Sequence, residues 1–525
     1  MNSVTGSLAR AGLVVSGAVF VARLLGWLRT VVISTTFGAG PDLDAYFAAF
    51  RVPDLIFQLV AAGALGTALV PVLSGLLAHH EQDRAWRVMS VVGNLMLIAL
   101  IALVIIVEIA APVLVPLITP GFTADQLALT IDLTRVMLLS PLFLAVGAVA
   151  SSALNASGLF SAAAAGAALY NLAIIVAALT LGRSMGVNAL AVGVVVGAAL
   201  TVLVQVPQLV RSGVHYHASV RLTDPAAREA LLLMGPRAFG LGVTQITFLV
   251  NTSLATTIGA GALTAYNVAF TILQIPIGLI GIPLGIVLLP SLSRAAALDQ
   301  AHEFSALIMR ALRLLLYVML FLTTVLMVIR LQVVTVLFSY GKFDAAAVDQ
   351  TADALLFFLI GLAGHSAIVV LARAFYAVKD TRTPVVAAIL SVVVNVVVSI
   401  ATVGTMGLAG LALGIAAGAW FESLLLVALL WRRDHGFRAA ALARAGAVDA
   451  VGAVLAAAAA WAVTLVAAAA GLAETGKLVD LVVGGLAFAA AAAVYLAYSR
   501  LLRLPELAGT LLLLRSATRR VRGAG

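Results

Sequence analysis

The sequence contains no cysteine and very little charge. Of its 525 residues only 10% are Asp, Glu, Lys or Arg, against about 25% in an average soluble domain. The lack of cysteine excludes disulfide bonds and thiolate metal sites. The shortage of charge, together with a hydrophobic content of 63%, excludes a water-soluble globular protein. The composition therefore predicts an integral membrane protein.

Long apolar runs recur along the chain and are separated by short polar breaks. Each run reaches the roughly 20 residues that a helix needs to cross the hydrocarbon core. The runs predict an all-α integral membrane protein with about fourteen transmembrane helices, over residues 12–37, 44–78, 87–117, 127–154, 160–181, 187–210, 230–257, 263–292, 305–329, 350–378, 383–404, 406–431, 448–471 and 478–502.

Basic residues are concentrated on one side of these spans. With residue 1 placed inside, most Lys and Arg fall in cytoplasmic segments, which is the usual bias of short loops. This predicts a multi-pass protein with both termini in the cytoplasm. The net charge of +9 is explained by basic loops and a basic tail that face anionic lipid head groups, so no nucleic-acid partner is expected.

Two segments of the chain resemble each other. Residues 38–74 and 259–293 both begin with Gly-Ala-Gly, continue with Ala-Tyr and Ala-Phe, and end with Pro-Xaa-Leu-Ser. Six predicted spans precede the second copy, so both copies enter the membrane in the same direction. This predicts two six-helix lobes related by a pseudo-two-fold axis along the membrane normal. The predicted domains are an N-terminal lobe (1–222), a C-terminal lobe (223–434), two extra helices (435–504) and a basic cytoplasmic tail (505–525).

Glycine and proline interrupt the second and eighth spans. Corresponding broken helices in two repeats indicate the elements that move and line the binding site of a carrier. We therefore predict gating or helix breaks at Gly38, Gly40, Pro53, Gly259, Gly261 and Pro276. The alternative is that these residues serve only close helix packing, because Gly and Pro are common in membrane helices.

Five arginines fall inside predicted spans, where each buried charge costs roughly 3 kcal/mol. Arg135 has Asp132 on the same helix face, and Arg51 is expected to pair with Asp44 or Asp54 or to extend toward the interface. Neither Arg23 nor Arg29 has an acidic neighbour in its own helix, which favours a water-filled cavity.

A guanidinium group is always charged and binds phosphate in a bidentate manner. The predicted ligand is therefore an anion such as a diphosphate head group, with Arg23, Arg29, Arg51 and Arg237 as the candidate binding residues.

Other polar residues give weaker predictions. Glu108 and Glu422 lie deep enough for an ion or proton site, but each could instead neutralise an arginine. His215 and His217 are expected to be solvated, because two imidazoles alone make a poor metal site. No nucleophile elbow or phosphate-binding glycine loop is present. The sequence predicts no catalytic residue, no metal site and no cofactor, with the membrane potential or a monovalent ion as candidate energy sources.

The first fifty residues after Ala22 carry the motifs of a known family. The runs Ala22-Arg23-Leu24-Leu25-Gly26-Trp27-Leu28-Arg29, Phe37-Gly38-Ala39-Gly40, Asp44-Ala45-Tyr46 and Ala49-Phe50-Arg51-Val52-Pro53 resemble the N-terminal signature of the MurJ (MviN) family. The resemblance implies the fold of the multidrug/oligosaccharidyl-lipid/polysaccharide exporter superfamily and the flipping of lipid II for peptidoglycan synthesis. By motif position it also implies functional roles for Arg23, Arg29 and Asp44, so that Asp44 joins the arginines as a candidate substrate-binding residue.

The sequence departs from the family pattern at several cavity positions. Two expected arginines and their acidic neighbours are replaced, at positions that here read Phe57, Gln58, Ala62, Phe270, Thr271 and Gln274. The departures leave two interpretations open. The chain belongs to a diverged subgroup in which Arg51 or Arg237 supplies charge, or it moves another lipid-linked substrate.

The leading hypothesis is a flippase that carries lipid II, or a related undecaprenyl-diphosphate-linked saccharide, from the inner to the outer leaflet of a bacterial cytoplasmic membrane. Alternatives are an exporter of another polyprenyl-linked saccharide, an ion-coupled drug exporter, and a membrane scaffold for wall synthesis that transports nothing. Expected partners are the lipid substrate, membrane lipids and peptidoglycan synthesis proteins.

Overall fold

The computed structural model describes residues 21–59, 65–433, 436–472 and 476–507, with side chains for all of these except 65–67, 235–241, 243 and 244. Within these ranges the chain forms helices and turns and no strand. The all-α prediction is therefore confirmed.

The chain divides into two compact units. The first comprises Met1–Thr264 and the short segment Tyr340–Asp344. Its helices are α1 (described over 21–37), α2 (Pro41–Phe57), α3 (Leu65–Ala78), α4 (Gln82–Ile118), α5 (Ala124–Met137), α6 (Ser140–Ala156), α7 (Ser161–Met185), α8 (Asn188–Leu203), α9 (Val206–Arg211) and α10 (Pro225–Thr256).

The second unit comprises Ala265–Ser339 and Ala345–Gly525. Helix α11 (Ala262–Pro276) begins at the boundary, and a π-helical turn (Ile277–Gly281) follows it. The remaining helices are α12 (Ile282–Ala297), α13 (Ala301–Val328), α14 (Arg330–Phe338), α15 (Ala345–Ile360), α16 (Leu362–Ala377), α17 (Arg382–Met406), α18 (Leu408–Arg433), α19 (Ala439–Ala469) and α20 (Lys477–Leu501). The predicted lobe boundary at residue 222 stays a prediction.

Over the described residues, each predicted span coincides with a helix or a broken helix. Among the described residues, ten continuous helices are long and apolar enough to cross a membrane, or eleven if α15 and α16, which are bent by 44°, form one span. The other three predicted spans fall on α1, on α2 with α3, and on α10. The protein is a multi-pass membrane protein, and the count of fourteen remains a prediction.

One face of many helices is apolar and exposed. On α17 the side chains of Val386, Val393, Val397 and Ile400 follow helical spacing and are each more than half exposed. The opposite face of α17 carries Ser391, Asn395, Ser399 and Thr402, and it packs against α18. This arrangement suits a helix that faces lipid on one side and protein on the other.

Glycines bring the last helix pair of each repeat into close contact. Gly414 and Gly418 of α18 lie against Asn395 and its neighbours on α17. At an offset of 221 residues, Gly193 and Gly197 of α8 lie against α7 in the same way. The structure therefore extends the repeat well beyond the motifs from which it was predicted.

Both predicted broken helices contain a π-helical turn. In the eighth span α11 ends at Pro276 and the turn Ile277–Gly281 follows. In the second span α2 continues through Pro53 to Phe57, and π-helical geometry begins at Gln58 and Leu59. The departure from α-helical geometry therefore begins about one turn after Pro53, close to the position equivalent to Ile277. π-helical turns are often found at functional sites.

Candidate functional site

The two Gly-Ala-Gly turns of the repeat touch each other within the first unit. Gly38 and Gly261 have φ angles of +79° and +83°, which an L side chain rarely adopts. A Cβ atom added to Gly261 would lie 3.0 Å from the carbonyl oxygen of Ala39. Gly261 therefore lies at a close contact between the α1–α2 turn and the α10–α11 turn, and Gly38 lies against Lys342.

Asp44 ties these turns together. Its side chain is 1% exposed, and it accepts hydrogen bonds from the Gly261 N–H (2.6 Å), the Thr264 N–H (2.8 Å) and the Thr264 hydroxyl (2.6 Å). These donors belong to the first turn of α11, where a carboxylate also interacts favourably with the helix dipole. In this structure the Asp44 carboxylate therefore binds the protein's own helix terminus, and the predicted role of Asp44 in substrate binding stays a prediction.

Two further contacts reproduce the repeat. The Lys342 N–H donates to the Thr35 carbonyl oxygen at 2.8 Å, and a Cβ atom at Gly341 would collide with that oxygen. At an offset of 220 or 221 residues, the Gly121 N–H donates to the Thr256 hydroxyl at 3.4 Å. We call the contacts of segments 35–44, 119–122, 256–264 and 340–343 the latch. All four segments belong to the first unit.

Arg51 lies in a polar cluster formed by α2 and α10. Its Nε donates to the Thr252 hydroxyl at 3.2 Å, and its guanidinium lies 5.2 Å from the centre of the Phe248 ring. Asp54, one turn along α2, interacts electrostatically with Arg51 and accepts a hydrogen bond from the Gln245 amide at 3.3 Å. Of the two predicted acidic partners, the structure therefore selects Asp54.

Arg29 faces the same cluster from α1. It is half-buried and interacts electrostatically with Asp54 and with the phenol groups of Tyr46 and Tyr170. Within the described ranges it forms no salt bridge. We call Arg29, Arg51 and Asp54 the arginine cluster. Two guanidinium groups and one carboxylate give the arginine cluster a net positive charge. The sequence indicates a site at Arg29 through the depth of this residue in its span and through the family resemblance.

The other two predicted arginines do not join this cluster. Arg23 lies about two turns before Arg29 and is exposed. Arg237 belongs to α10, but its side chain lies outside the described residues, and so does Ala62. The residues that contact the arginine cluster come from other helices or lie elsewhere on α2. Local sequence spacing therefore does not predict these neighbours, which are Tyr46, Tyr170, Gln245 and Thr252.

The predicted partner of Arg135 changes in the structure. Arg135 pairs with Glu108 of α4, with 3.3 Å between Nε and Oε1, and not with Asp132 of its own helix. Glu108 therefore neutralises an arginine, which was one of its two predicted roles. Asn94 of α4 donates hydrogen bonds to the main chain at His217 and Ser219, so the histidine loop packs on α4.

The second repeat is uncharged where the first is charged. Phe270 packs against Tyr266 and Phe358, with ring centres 6.4 and 5.7 Å away. The Thr271 hydroxyl donates to the Asn267 carbonyl oxygen of its own helix at 2.8 Å. Of the two residues that replace the expected charged pair of span eight, Phe270 therefore packs against aromatic rings and Thr271 forms a hydrogen bond within its own helix.

Each unit also has an ion pair outside the spans. In the first unit Asp224 caps α10 and accepts two hydrogen bonds from Arg84, at 2.7 and 3.1 Å. These bonds lower the pKa of Asp224. In the second unit Asp380 bonds to Thr383 and Arg433. The Thr383 hydroxyl, with help from Arg433, holds the pKa of Asp380 well below its usual value.

Comparisons with known proteins agree with this architecture. A family model described as "Lipid II flippase MurJ" matches residues 33–483. The chain is 34% identical over 435 residues to a lipid II flippase MurJ from Burkholderia cenocepacia, covering 81% of this chain and 84% of that protein. It is 31% identical over 440 residues to a probable lipid II flippase MurJ from Rhizobium meliloti, covering 82% of each.

Solved structures show the same fold. A structure titled "Lipid II flippase MurJ, inward closed conformation" matches with a TM-score of 0.77 at 20% identity, covering 93% of this chain and 99% of that chain. An inward-facing multidrug resistance transporter of the MATE family matches with a TM-score of 0.65 at 18% identity, covering 80% and 96%. The predicted exporter-superfamily fold is therefore confirmed.

Proposed function

Because the chain belongs to the lipid II flippase MurJ family, we propose that it moves lipid II from the inner to the outer leaflet of the cytoplasmic membrane by alternating access. The observation that carries this proposal is the family match, which covers residues 33–483. As a flippase the protein is a transporter and not an enzyme.

The arginine cluster is the proposed contact for the head group. Lipid II presents a diphosphate, and guanidinium groups bind phosphate oxygens more strongly in a site that water reaches only partly. Arg29 and Arg51 supply two positive charges and Asp54 supplies one negative charge. The surplus positive charge supports binding of an anion and argues against a cationic drug as the substrate, which an ion-coupled drug exporter could carry.

The latch is the proposed gate at the outer face. The predicted orientation, with both termini in the cytoplasm, puts the α1–α2 and α10–α11 turns on that side. Release of the head group then requires the Asp44 carboxylate to leave the first turn of α11. The proposal assigns Gly38 and Gly261 to this gate and leaves Arg23 and Arg237 as candidate contacts along the path.

Cell experiments test the substrate. Depletion of the protein should cause loss of wall integrity and accumulation of lipid II on the cytoplasmic side, and the chain should rescue a flippase-deficient strain. The matched pair of variants is Arg29→Ala, which should fail to rescue, and Arg183→Ala, an exposed arginine on α7, which should rescue. Unchanged lipid II on depletion, together with failure of the wild-type chain to rescue, would show that lipid II is the wrong substrate.

A further inference from the structure

Two broken helices of the second repeat lie side by side in the second unit, and their halves are paired. Phe358, in the last turn of α15, packs against Tyr266 and Phe270 of α11, with ring centres 5.3 and 5.7 Å away. On the other side of the breaks, Ser366 of α16 lies against Gly281, the last residue of the π-helical turn, and α16 continues along α12. Motion at one break is therefore coupled to motion at the other.

The break between α15 and α16 lies near the middle of their span, where the two helices are bent by 44°. The helical ladder is interrupted at Gly361, which leaves the Ile360 carbonyl oxygen at the bend. The Trp420 indole N–H of α18 donates to this oxygen at 2.7 Å. A side chain of a neighbouring helix therefore satisfies a carbonyl group at membrane depth, where an unpaired one is costly.

Glycines let α16 approach α18 next to this bond. A Cβ atom added to Gly361 would lie 2.7 Å from the Cα atom of Ala416, and one added to Gly364 would lie 3.2 Å from the main chain of Ala419. Carbon atoms that are 2.7 Å apart overlap, so even the methyl group of alanine at residue 361 would push the helices apart. The bent arrangement therefore depends on a glycine at this position.

The first repeat lacks this combination. At an offset of 221 residues, the two glycines correspond to Ser140 and Phe143, and Trp420 corresponds to Ala199. The equivalent helices α5 and α6 form one span without a bend of this size, and the Ser140 hydroxyl donates to the Met137 carbonyl oxygen at 2.8 Å. The same scaffold therefore has a straighter form, and the indole donor accompanies the bent one.

Straightening the second span exchanges one hydrogen bond for another. In a continuous helix the Ile360 oxygen accepts from the Gly364 N–H, four residues later, so neither form leaves this carbonyl group unpaired. A packed element with two such arrangements switches between them as a whole. We propose that the break between α15 and α16 is a hinge of the transport cycle, and that the bond from Trp420 to Ile360 holds it in the bent form. When this bond opens, α15 moves with α11, and α16 moves with α12.

The distance between the two ends of the span reports the bend. Because the chain has no cysteine, Asp349→Cys and Val378→Cys place a pair of spin labels at two exposed positions, one near each end. A helix rises about 1.5 Å per residue, so straightening a bend of 44° should lengthen the label distance by about 3 Å. Pulsed electron paramagnetic resonance of the full-length protein in lipid vesicles measures this difference, and the otherwise unchanged chain should give mainly the shorter distance.

Two variants should shift the distance, and a third should not. Trp420→Phe keeps an aromatic ring but removes the donor, so the longer distance should predominate. The matched control is Trp431→Phe, the same change at an exposed position of α18, which should keep the shorter distance. Gly361→Ser gives the second repeat the residue of the first. It should also favour the longer distance, and it tests the hinge if Trp420→Phe does not fold.

Translocation in the same vesicles shows whether the hinge belongs to the transport cycle. The inference rests on the alternating access proposed above, but not on the identity of the substrate. Trp420→Phe should slow the translocation of fluorescent lipid II several-fold relative to Trp431→Phe, because the bent form is depleted. An unchanged label distance in Trp420→Phe and Gly361→Ser would overturn the hinge, and so would a longer distance with an unchanged transport rate. If the wild type moves no lipid II, the substrate proposal fails, whereas the distances still decide the hinge.

Discussion

The two copies of the internal repeat share a scaffold and differ in charge. Tyr46 and Tyr266 occupy equivalent positions and are both buried. One turn further on, Arg51 and Asp54 of the first copy are matched by Thr271 and Gln274 of the second. The backbone of a membrane helix pair can therefore be repeated while its electrostatic role is kept in one copy only.

The latch also has a charged residue in the first copy of the repeat and an uncharged residue at the equivalent position of the second copy. Asp44 in the first copy corresponds to Thr264 in the second, and these two residues bond to each other. An acceptor-only carboxylate faces a residue that offers two donors, so the contact is complementary where two identical residues would not be. A pair of aspartates at these positions would repel each other.

The largest expected effect is at Arg29, which forms no salt bridge within the described residues. Arg29→Ala should reduce flipping about 100-fold, because loss of a charged hydrogen-bond donor to phosphate costs about 1.5–3 kcal/mol. Expression and membrane insertion should be unchanged. Transport by equal amounts of membrane-inserted wild type and variant measures this effect, and loss of folded protein instead would indicate a structural role.

Arg51→Thr makes the first copy resemble the second. It should reduce flipping about tenfold, which corresponds to about 1.4 kcal/mol, because Thr252 and Asp54 lose their cationic partner. Thr271→Ser is the matched change in the second copy and should have little effect. Equal losses from both changes would contradict the view that charge is kept in one copy.

Asp44→Ala tests the latch. It removes three hydrogen bonds from the first turn of α11 and should favour conformations that are open at the turns. Because the chain has no cysteine, a single Thr256→Cys substitution gives a unique label at a latch residue that is 4% exposed. Its rate of reaction with a water-soluble thiol reagent should rise several-fold in the Asp44→Ala background. An unchanged rate would show that Asp44 does not hold the gate closed.

The smallest expected effect is on the pH dependence of the Tm, to which the ion pair of each unit contributes. The pKa values of Asp224 and Asp380 are lowered in the folded protein, so both groups contribute stability above the ordinary aspartate value of about 3.9 and lose it as the pH falls below that value. The Tm should therefore drop as the pH falls from about 5 toward the lowered pKa values of these two groups. Asp224→Asn and Asp380→Asn should each make this drop shallower. A pH dependence that neither variant alters would contradict the assignment.

Sequence patterns predict the scaffold better than they predict the site. Apolar length locates the helices, and the repeat predicts the turns at Gly38 and Gly261, because both signals are local. The bonding partner of Asp44 was not predicted, since Thr264 reaches it only when the two turns meet. Helical spacing predicts that Arg135 pairs with Asp132, whereas the fold brings Glu108 of another helix to it. Such partners depend on helix packing, which spacing along the chain does not encode.

The most direct test of the account measures translocation by the purified protein. Vesicles that contain lipid II with a fluorescent head group are made with wild-type protein, with Arg29→Ala, or without protein, and an impermeant quencher reports the head groups that reach the outer leaflet. The account predicts fast exposure of the inner pool with the wild type and protein-free rates with Arg29→Ala. Equal exposure with the wild type and with Arg29→Ala, or no exposure above the protein-free vesicles, would contradict it.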